Sequence, residues 1–318
     1  MKLPSWTALL GRQAALMRSA GAALGTRYRP PPGDGQWLMG LVMAADGPRR
    51  YYLFRPAGVR FGERLPLLVM LHGCHQDART FAASTRMNRI AARERFLVLY
   101  PEQTRLAHAQ GCWHWFDTQG GRAQAESAWV LRAIDQVSLL YSADRERTAI
   151  AGLSAGASMA ALLATQHPQR FPAVVMHSGV PPGLAPTAAT ALRAMRGQRA
   201  MAPLPPGEHH WPPLLALHGE GDGVVSARNA VAAVQRWADA AGATPGPAQT
   251  QRRGQRHPLT LTHYRRGREL VATLALIRDL GHAWSGGAAR ERFGEPQGPD
   301  ASRLAWRFIA RQMATDAR

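Results

Sequence analysis

A serine between two glycines is the residue best placed to carry covalent chemistry. The segment Gly152–Gly156 reads Gly-Leu-Ser-Ala-Gly, follows a short apolar stretch and precedes a run of small residues. A sharp turn between a strand and a helix would expose the hydroxyl of Ser154, and glycines on either side avoid the clashes that a Cβ would cause. We therefore predict that Ser154 is a nucleophile. The alternative is a serine that only caps a helix.

A serine hydroxyl reacts readily only when a base takes its proton. When the serine occupies such a turn, the acid and then the histidine follow it along the chain. His282 lies late in the chain among loop-forming glycines, whereas His257 and His263 lie in or beside a predicted strand. The sequence therefore predicts His282 as the base. The other two histidines are more typical of plain strand residues.

The acid that orients the base should follow a strand between the serine and the histidine. Asp222 comes shortly after the apolar stretch Leu214–Leu217, with Glu220 as a rival two residues away. Asp279 is too close along the chain to His282 to be the first choice. We predict Asp222 as the acid, the alternative being an aspartate in a surface turn.

Acyl transfer also needs hydrogen-bond donors for the negative oxygen of its transition state. One donor should be the amide of Ala155, directly after the nucleophile, and the second should come from a loop after an early strand. The loop that begins at His72 leaves the apolar stretch Leu65–Leu71 at the expected place. We predict that Cys74 supplies the second amide. The alternative is an ordinary turn at a strand end.

Aromatic residues cluster near the proposed chemistry. Trp113 and Trp115 share a glycine-flanked loop, and Trp284 lies two residues after His282. Large rings in loops are typical of the walls of a substrate cleft. We predict that these three tryptophans bind substrate, although packing in the core would also explain them.

The elements around these residues alternate between strands and helices. The predicted strands are Gln36–Met43, Arg50–Arg55, Leu65–Leu71, Phe96–Tyr100, Thr148–Ala151, Ala173–Met176, Leu214–Leu217, Leu259–Tyr264 and Leu270–Ile277. The predicted helices are Arg79–Glu94, Ala123–Tyr141, a helix after Leu153, Ala227–Ala240 and Leu304–Met313. This alternation predicts an α/β fold with a mainly parallel sheet and helices on both faces. We expect one catalytic domain over residues 36–318, with an irregular excursion at about 181–213.

The composition excludes several classes of protein. The 318 residues are 46% hydrophobic, which excludes a disordered chain, and the longest apolar run is far too short to span a membrane. The net charge is +18, almost entirely from scattered arginines, with Lys2 as the sole lysine. No nucleic-acid-binding motif, phosphate-binding loop or metal-ligand spacing occurs, so we expect no nucleic acid, no metal and no cofactor.

The first 35 residues form a basic segment without a visible signal peptide. Its apolar residues fall near helical spacing, so an amphipathic helix that associates weakly with a surface is one interpretation. A flexible tail is the other.

Together these motifs resemble the polyhydroxybutyrate depolymerase family of esterases, which also includes feruloyl and acetylxylan esterases. Five blocks carry the resemblance over roughly residues 37–312, and they are Leu71–Gln76, Gly111–Phe116, Gly152–Met159, His218–Gly219 with Asp222 and Val225, and Gly281–Gly287. The resemblance implies an α/β-hydrolase fold and a secreted esterase that cleaves hydroxyalkanoate polyesters or plant-wall esters. The family's catalytic triad corresponds to Ser154, Asp222 and His282.

The resemblance also bears on the two cysteines and on the compartment. Cys74 and Cys112 each lie in a matching block and are the only cysteines of the chain. We predict a disulfide between them, with two buried free thiols as the alternative. The family implies an extracellular or periplasmic location, whereas the absence of a visible signal peptide favours the cytoplasm. No separate polymer-binding domain is visible.

Two functions of different classes follow from the sequence. The first is a serine esterase that forms an acyl-enzyme and cleaves short-chain esters, such as hydroxybutyrate oligomers or polyester. The second is a basic protein that binds polyester granules or nucleic acid and retains a vestigial hydrolase fold. The intact set of Ser154, Asp222 and His282 favours the esterase, because a binding protein does not need a triad.

Overall fold

Strands form where the sequence is continuously apolar or alternates in polarity. The computed structural model describes residues 30–204 and 209–315, and thirteen strands lie within them. They are β1 (Gly35–Ala44), β2 (Gly47–Pro56), β3 (Leu65–Leu71), β4 (Leu97–Pro101), β5 (Ala143–Leu153), β6 (Val174–His177), β7 (Leu214–Gly219), β8 (Thr244–Pro245), β9 (Gln249–Gln251), β10 (Leu259–Arg266), β11 (Glu269–Ile277), β12 (Trp284–Ser285) and β13 (Gly294–Glu295).

Seven α-helices alternate with these strands in the same described ranges. They are α1 (Ala78–Thr85), α2 (Met87–Glu94), α3 (Arg122–Leu140), α4 (Ala155–Gln166), α5 (Ala188–Met195), α6 (Arg228–Ala241) and α7 (Ala301–Thr315). None of these helices combines the length and the apolar character needed to cross a membrane.

One large sheet organises the domain. Its strand order is β1-β2-β4-β3-β5-β6-β7-β11-β10-β8, with β9 paired to β10. The central neighbours from β4 to β11 run parallel, and antiparallel strands flank them on both sides. Because parallel strands end at the same edge, the loops that follow β3, β5, β7 and β11 meet there.

Both faces of this sheet are buried. Along β3, Leu67, Val69 and Leu71 pack into one apolar cluster, whereas Leu68 and Met70 pack into the other. The first cluster includes residues of α3, α4 and α6, and the second includes residues of α1, α2 and α7. A strand covered on both faces reads as an uninterrupted apolar run, which explains its sequence. The predicted α/β fold, with a mainly parallel sheet and helices on both faces, is confirmed.

Two predicted elements differ from the structure. The single helix predicted from Arg79 to Glu94 is wrong, because Arg86 adopts a left-handed conformation with φ of 56° and divides the segment into α1 and α2. The Arg86 guanidinium also donates to the carbonyl of Gly286, which ties this break to the loop after His282. The excursion predicted at 181–213 is not wholly irregular, since it contains α5.

The predictions for the basic N-terminal segment concern mainly residues 1–29. These lie outside the described residues. The expectation of one catalytic domain over residues 36–318 stays a prediction.

Glycine is required where α4 leaves β5. A Cβ on Gly156 would lie 2.2 Å from the carbonyl oxygen of Leu71, and one on Gly152 would lie 2.3 Å from the backbone of Gly156. Both contacts are with backbone atoms, which cannot rotate away as a flexible side chain could. The two glycines therefore allow α4 to begin directly against the end of β3.

Replacing Gly156 with alanine should destabilise the domain strongly. The added methyl group would force α4 away from β3, and such overpacking costs roughly 1 to 3 kcal/mol, with the upper end expected where the clash is with backbone atoms. Denaturant unfolding measures this change. Gly223→Ala is the matched control, because a Cβ there meets no atom within 4 Å, and its free energy of unfolding should shift by less than about 1 kcal/mol. Equal stability of the two variants would contradict the packing argument.

Candidate active site

Ser154 lies at the strained turn that its glycine neighbours allow. Its backbone has φ of 55° and ψ of −122°, between the end of β5 and the first residue of α4. A non-glycine residue with positive φ is uncommon and is held in place only by its surroundings. The Ser154 amide donates to the carbonyl of His177 at 2.9 Å, so the neighbouring strand β6 fixes the turn.

Three predicted residues form one chain of hydrogen bonds. The Oγ of Ser154 lies 2.9 Å from Nε2 of His282, and Nδ1 of His282 lies 2.7 Å from Oδ2 of Asp222. Ser154 follows β5, Asp222 follows β7 and His282 follows β11, so the carboxyl edge of the sheet brings them together. The rival acids Glu220 and Asp279 form no hydrogen bond or ion pair with His282.

The carboxylate of Asp222 is held ionised and fixed in orientation. Its Oδ1 accepts hydrogen bonds from the amides of Val224 at 2.9 Å and Val225 at 2.8 Å. Burial acts to raise the pKa of Asp222, but hydrogen bonds from His218 and His282 outweigh it and hold the pKa well below its usual range. An ionised Asp222 keeps the His282 proton on Nδ1. Nε2 is then free to accept the proton of Ser154.

Two further buried histidines lie behind this chain. Nε2 of His218 donates to the carbonyl of Val225 at 2.8 Å and lies 3.4 Å from Oδ2 of Asp222. His177 packs against the ring of Trp284 and accepts a hydrogen bond from the amide of Ser285 at 3.2 Å. Burial, aided by the charges of His218 and His282, lowers the pKa of His177 to about 3. His177 is therefore neutral near pH 7 and adds no charge that would compete with His282.

Cys74 and Ala155 both line the cavity beside Ser154. Ala155 is the first residue of α4, so its amide has no acceptor within that helix. Within the described ranges, no backbone carbonyl accepts a hydrogen bond from the amide of Cys74. The turn around Cys74 is fixed on both sides. The backbone amide of Gly73 donates to the side chain of Gln76 at 3.0 Å, and the backbone amide of His75 donates to the carbonyl of Gln110 at 2.7 Å. The role of the Cys74 and Ala155 amides as oxyanion donors stays a prediction.

The predicted disulfide between Cys74 and Cys112 is present, with an S–S distance of 2.07 Å. It joins the loop after β3 to the aromatic loop around Trp115. His114 of that second loop donates two hydrogen bonds to the buried carboxylate of Glu126 on α3, from its amide at 2.7 Å and from its Nδ1 at 2.6 Å. The bridge therefore ties the proposed oxyanion loop to a segment that is itself anchored on α3.

Only one of the three predicted substrate-binding tryptophans lines the cavity beside Ser154. That residue is Trp115. The prediction for Trp113 and Trp284 is wrong, because both side chains are fully buried. Each of their indole nitrogens finds an acceptor inside the protein. Trp113 donates to the carbonyl of His72 at 3.0 Å, and Trp284 donates to the hydroxyl of Ser302 at 2.9 Å.

Two cavities meet at Ser154. The first, here called the disulfide-side cavity, has a volume of about 180 Å³ and a mainly apolar wall that includes Cys74, Cys112, Trp115, Phe116, Val180 and Met195. The second, here called the histidine-side cavity, has a volume of about 330 Å³ and includes His75, Gln76, Val224, His282, Arg292 and Phe293. The sequence did not reveal most of these residues. Met195 lies in the segment predicted to be irregular, and Arg292 and Phe293 follow the His282 loop without a recognisable motif.

Removing the disulfide should destabilise the domain and slow turnover. In the variant with both Cys74→Ser and Cys112→Ser, the cross-link over a sequence separation of 38 is lost, which costs roughly 3 to 4 kcal/mol in the chain-entropy account. Urea unfolding and the hydrolysis of nitrophenyl acetate measure the two effects. Reduced wild-type protein is the control and should behave like the variant. An unchanged free energy of unfolding and unchanged turnover would show that the disulfide neither stabilises the domain nor supports catalysis.

Comparisons with known proteins agree with this geometry. Residues 49–243, more than half of the chain, match the family described as Esterase PHB depolymerase. The chain is 32% identical to poly(3-hydroxyalkanoate) depolymerase C of Paucimonas lemoignei over 117 residues, which are 36% of this chain but only 28% of that relative. It is 25% identical to feruloyl esterase B of Neurospora crassa over 212 residues, covering 61% of this chain and 70% of the relative.

Solved structures show the same fold. The acetyl xylan esterase of Aspergillus awamori superposes with a TM-score of 0.62 at 15% identity, covering 86% of this chain and 99% of the other. At that identity the likeness concerns the fold alone. The predicted α/β-hydrolase fold and the family resemblance are confirmed, and the chain belongs to the Esterase PHB depolymerase family of carboxylic ester hydrolases.

Proposed function

We propose that this protein is a serine esterase that cleaves short-chain esters through an acyl-enzyme on Ser154. The observation that carries the proposal is the hydrogen-bonded chain from Ser154 through His282 to Asp222, assembled on a strained turn where two cavities meet. The side chain of Asp222 is fully buried and that of His282 is 11% exposed. Substrate therefore meets this hydrogen-bonded chain only at its Ser154–His282 end. Burial of the acid strengthens its interaction with the imidazolium that forms during the reaction.

The first half of the reaction forms the acyl-enzyme. Oγ of Ser154 attacks the ester carbonyl carbon while Nε2 of His282 takes the hydroxyl proton. The amides of Ala155 and Cys74 hold the oxygen that becomes negative. When the tetrahedral intermediate collapses, the bond to the alcohol oxygen breaks and His282 gives its proton to that oxygen. The alcohol leaves, and the acyl group remains on Ser154.

The second half restores the enzyme. Water takes the place of the alcohol and attacks the acyl carbon while His282 accepts one of its protons. Collapse of the second intermediate releases the acid and returns the proton to Ser154. Asp222 stays ionised throughout, because the hydrogen bonds it accepts hold its pKa low.

The substrate we propose is a short-chain ester, and hydroxybutyrate oligomers or polyester are the first candidates. Membership of the depolymerase family and the name of poly(3-hydroxyalkanoate) depolymerase C support this choice. The mainly apolar wall of the disulfide-side cavity suits an aliphatic acyl group. Feruloyl esters and acetylated xylan are the competing substrates, because similar proteins are named feruloyl esterase and acetylxylan esterase.

The remaining proposals concern organisation and location. We expect one catalytic domain over residues 36–318, an ester as the binding partner and no nucleic acid, with weak surface association through the basic segment 1–35. The disulfide between Cys74 and Cys112 supports an extracellular or periplasmic location, because such bridges rarely persist in the cytoplasm.

The alternative of a vestigial hydrolase that only binds granules or nucleic acid is not favoured. A binding protein would gain nothing from a serine held at positive φ within 2.9 Å of a histidine. Such strain is kept where it serves a reaction.

Replacing Ser154 with alanine should abolish ester hydrolysis and leave the fold intact. Loss of the nucleophile in other triad enzymes lowers turnover by on the order of 10⁵ to 10⁶. Hydrolysis of nitrophenyl acetate and butyrate measures the loss, and circular dichroism checks the fold. Ser138→Ala is the control, since this buried hydroxyl of α3 has no partner among the described residues. If Ser154→Ala retained more than a few per cent of wild-type turnover, Ser154 would have no part in the mechanism.

A further inference from the structure

The histidine-side cavity contains a positive charge that the proposed mechanism does not use. Arg292 lines this cavity together with Ser154 and His282. Across residues 30–204 and 209–315, no carboxylate lies within 4.0 Å of its guanidinium nitrogens. Arginine binds carboxylates well because its planar group can donate two parallel hydrogen bonds. A cation that lines the same cavity as the reacting histidine and has no carboxylate partner is therefore suited to an anionic group of a ligand.

Contacts with an aromatic ring place this charge near the chemistry. The guanidinium carbon of Arg292 lies 4.9 Å from the centroid of the Phe293 ring, within the range of a cation–π interaction. The Phe293 ring meets the imidazole of His282 edge to face, with 6.3 Å between centroids. His282, Phe293 and Arg292 thus follow one another along one wall of the cavity.

The backbone at Phe293 is fixed in an unusual conformation. Phe293 has φ of 62°, although it is not a glycine. Its carbonyl accepts a hydrogen bond from the amide of Trp284 at 2.7 Å, and the next residue begins β13, which pairs with β12. Strain of this kind persists only where the surroundings impose it, and it is common at ligand-binding sites. The wall that carries Arg292 is therefore held by the same strand that follows His282.

The position of His282 shows which part of an ester would meet Arg292. His282 must give its proton to the leaving alcohol oxygen, so the alcohol part of the ester lies on the side of His282. The apolar disulfide-side cavity then receives the acyl part. In a linear oligomer of a hydroxyacid, the alcohol released on cleavage is itself a hydroxyacid unit, and that unit carries the free carboxylate of the chain end.

We propose that Arg292 binds the terminal carboxylate of the leaving group, and that the preferred substrate is a short anionic hydroxyacid oligomer cleaved near its carboxylate end. This inference rests on the proposed esterase function and specifies its substrate class. Ser154 forms a bond to the ester carbonyl carbon, and the bond from that carbon to the alcohol oxygen breaks. The departing hydroxyacid takes the proton from His282 and keeps its carboxylate on Arg292 until it leaves. Water then releases the acyl part as a shorter oligomer.

The test compares two trimers of 3-hydroxybutyrate that differ at one end. One carries the free carboxylate and the other a carboxamide, which is neutral and adds no ester bond. The kcat and KM for each trimer are measured from the products separated by chromatography. Arg292 is an exposed residue, so wild-type enzyme should prefer the carboxylate in kcat/KM by roughly 2- to 5-fold, as expected for an exposed ion pair, and the preference should fall as salt is added.

Variants assign the preference to one residue. Arg292→Gln should abolish the preference by raising KM for the carboxylate trimer, and Arg292→Lys should keep part of it because the charge remains. Arg290→Gln is the matched control, since Arg290 carries the same charge two residues away and does not line the cavity. It should keep the wild-type preference. Nitrophenyl acetate, which has no carboxylate, should be cleaved by the Arg290→Gln variant at the wild-type rate.

Two results would overturn the inference. One is a wild-type enzyme that cleaves both trimers equally well, and the other is an Arg292→Gln variant that keeps the preference. In either case nitrophenyl acetate would still be cleaved, so the esterase proposal would stand. Failure of the esterase proposal would look different, because neither nitrophenyl acetate nor either trimer would be cleaved by the wild-type protein.

Discussion

The close approach of helix α4 to strand β3 is the contact on which the site depends. At Gly156 the helix backbone lies against the carbonyls of Leu71 and His72, and no side chain fits between them. That approach forces Ser154 into a positive φ and turns its hydroxyl towards His282. It also places the first amide of α4 beside the loop that leaves β3. One packing constraint therefore positions both the nucleophile and the amides proposed to hold the oxyanion.

The order of strands in the sheet supplies the rest of the site. The loops after β3, β5, β7 and β11 carry Cys74, Ser154, Asp222 and His282, and β6 is the only strand that separates β5 from β7. The end of β6 contributes the buried His177, whose neutral ring stacks on Trp284 without adding charge near His282. Residues far apart along the chain thus meet because parallel strands finish at one edge, which is where ligands bind in folds of this kind.

Much of this could be predicted from the sequence because its signals are local. The apolar run of β3 and the glycines around Ser154 each reflect a constraint that acts within a few residues, and the order of the triad along the chain is typical of a serine in such a turn. The sequence could not predict in the same way whether Trp113, Trp115 and Trp284 lie in the core or line the cavity. Whether an indole faces a cavity or the core depends on which acceptor its nitrogen reaches, and those acceptors, the His72 carbonyl and Ser302, are remote in sequence. Arg292 could not be predicted for a related reason, since one arginine among many has no distinguishing motif and only the fold places it in the same cavity as His282.

The central claim is that Ser154 becomes acylated because His282 and Asp222 activate it. Labelling with a serine-directed phosphonate, followed by intact mass and peptide mapping, tests this claim most directly. The account predicts one phosphonate per chain, attached at Ser154, with labelling slowed strongly in His282→Ala and in Asp222→Asn. A label on another serine, or equally fast labelling of Ser154 in those two variants, would contradict it.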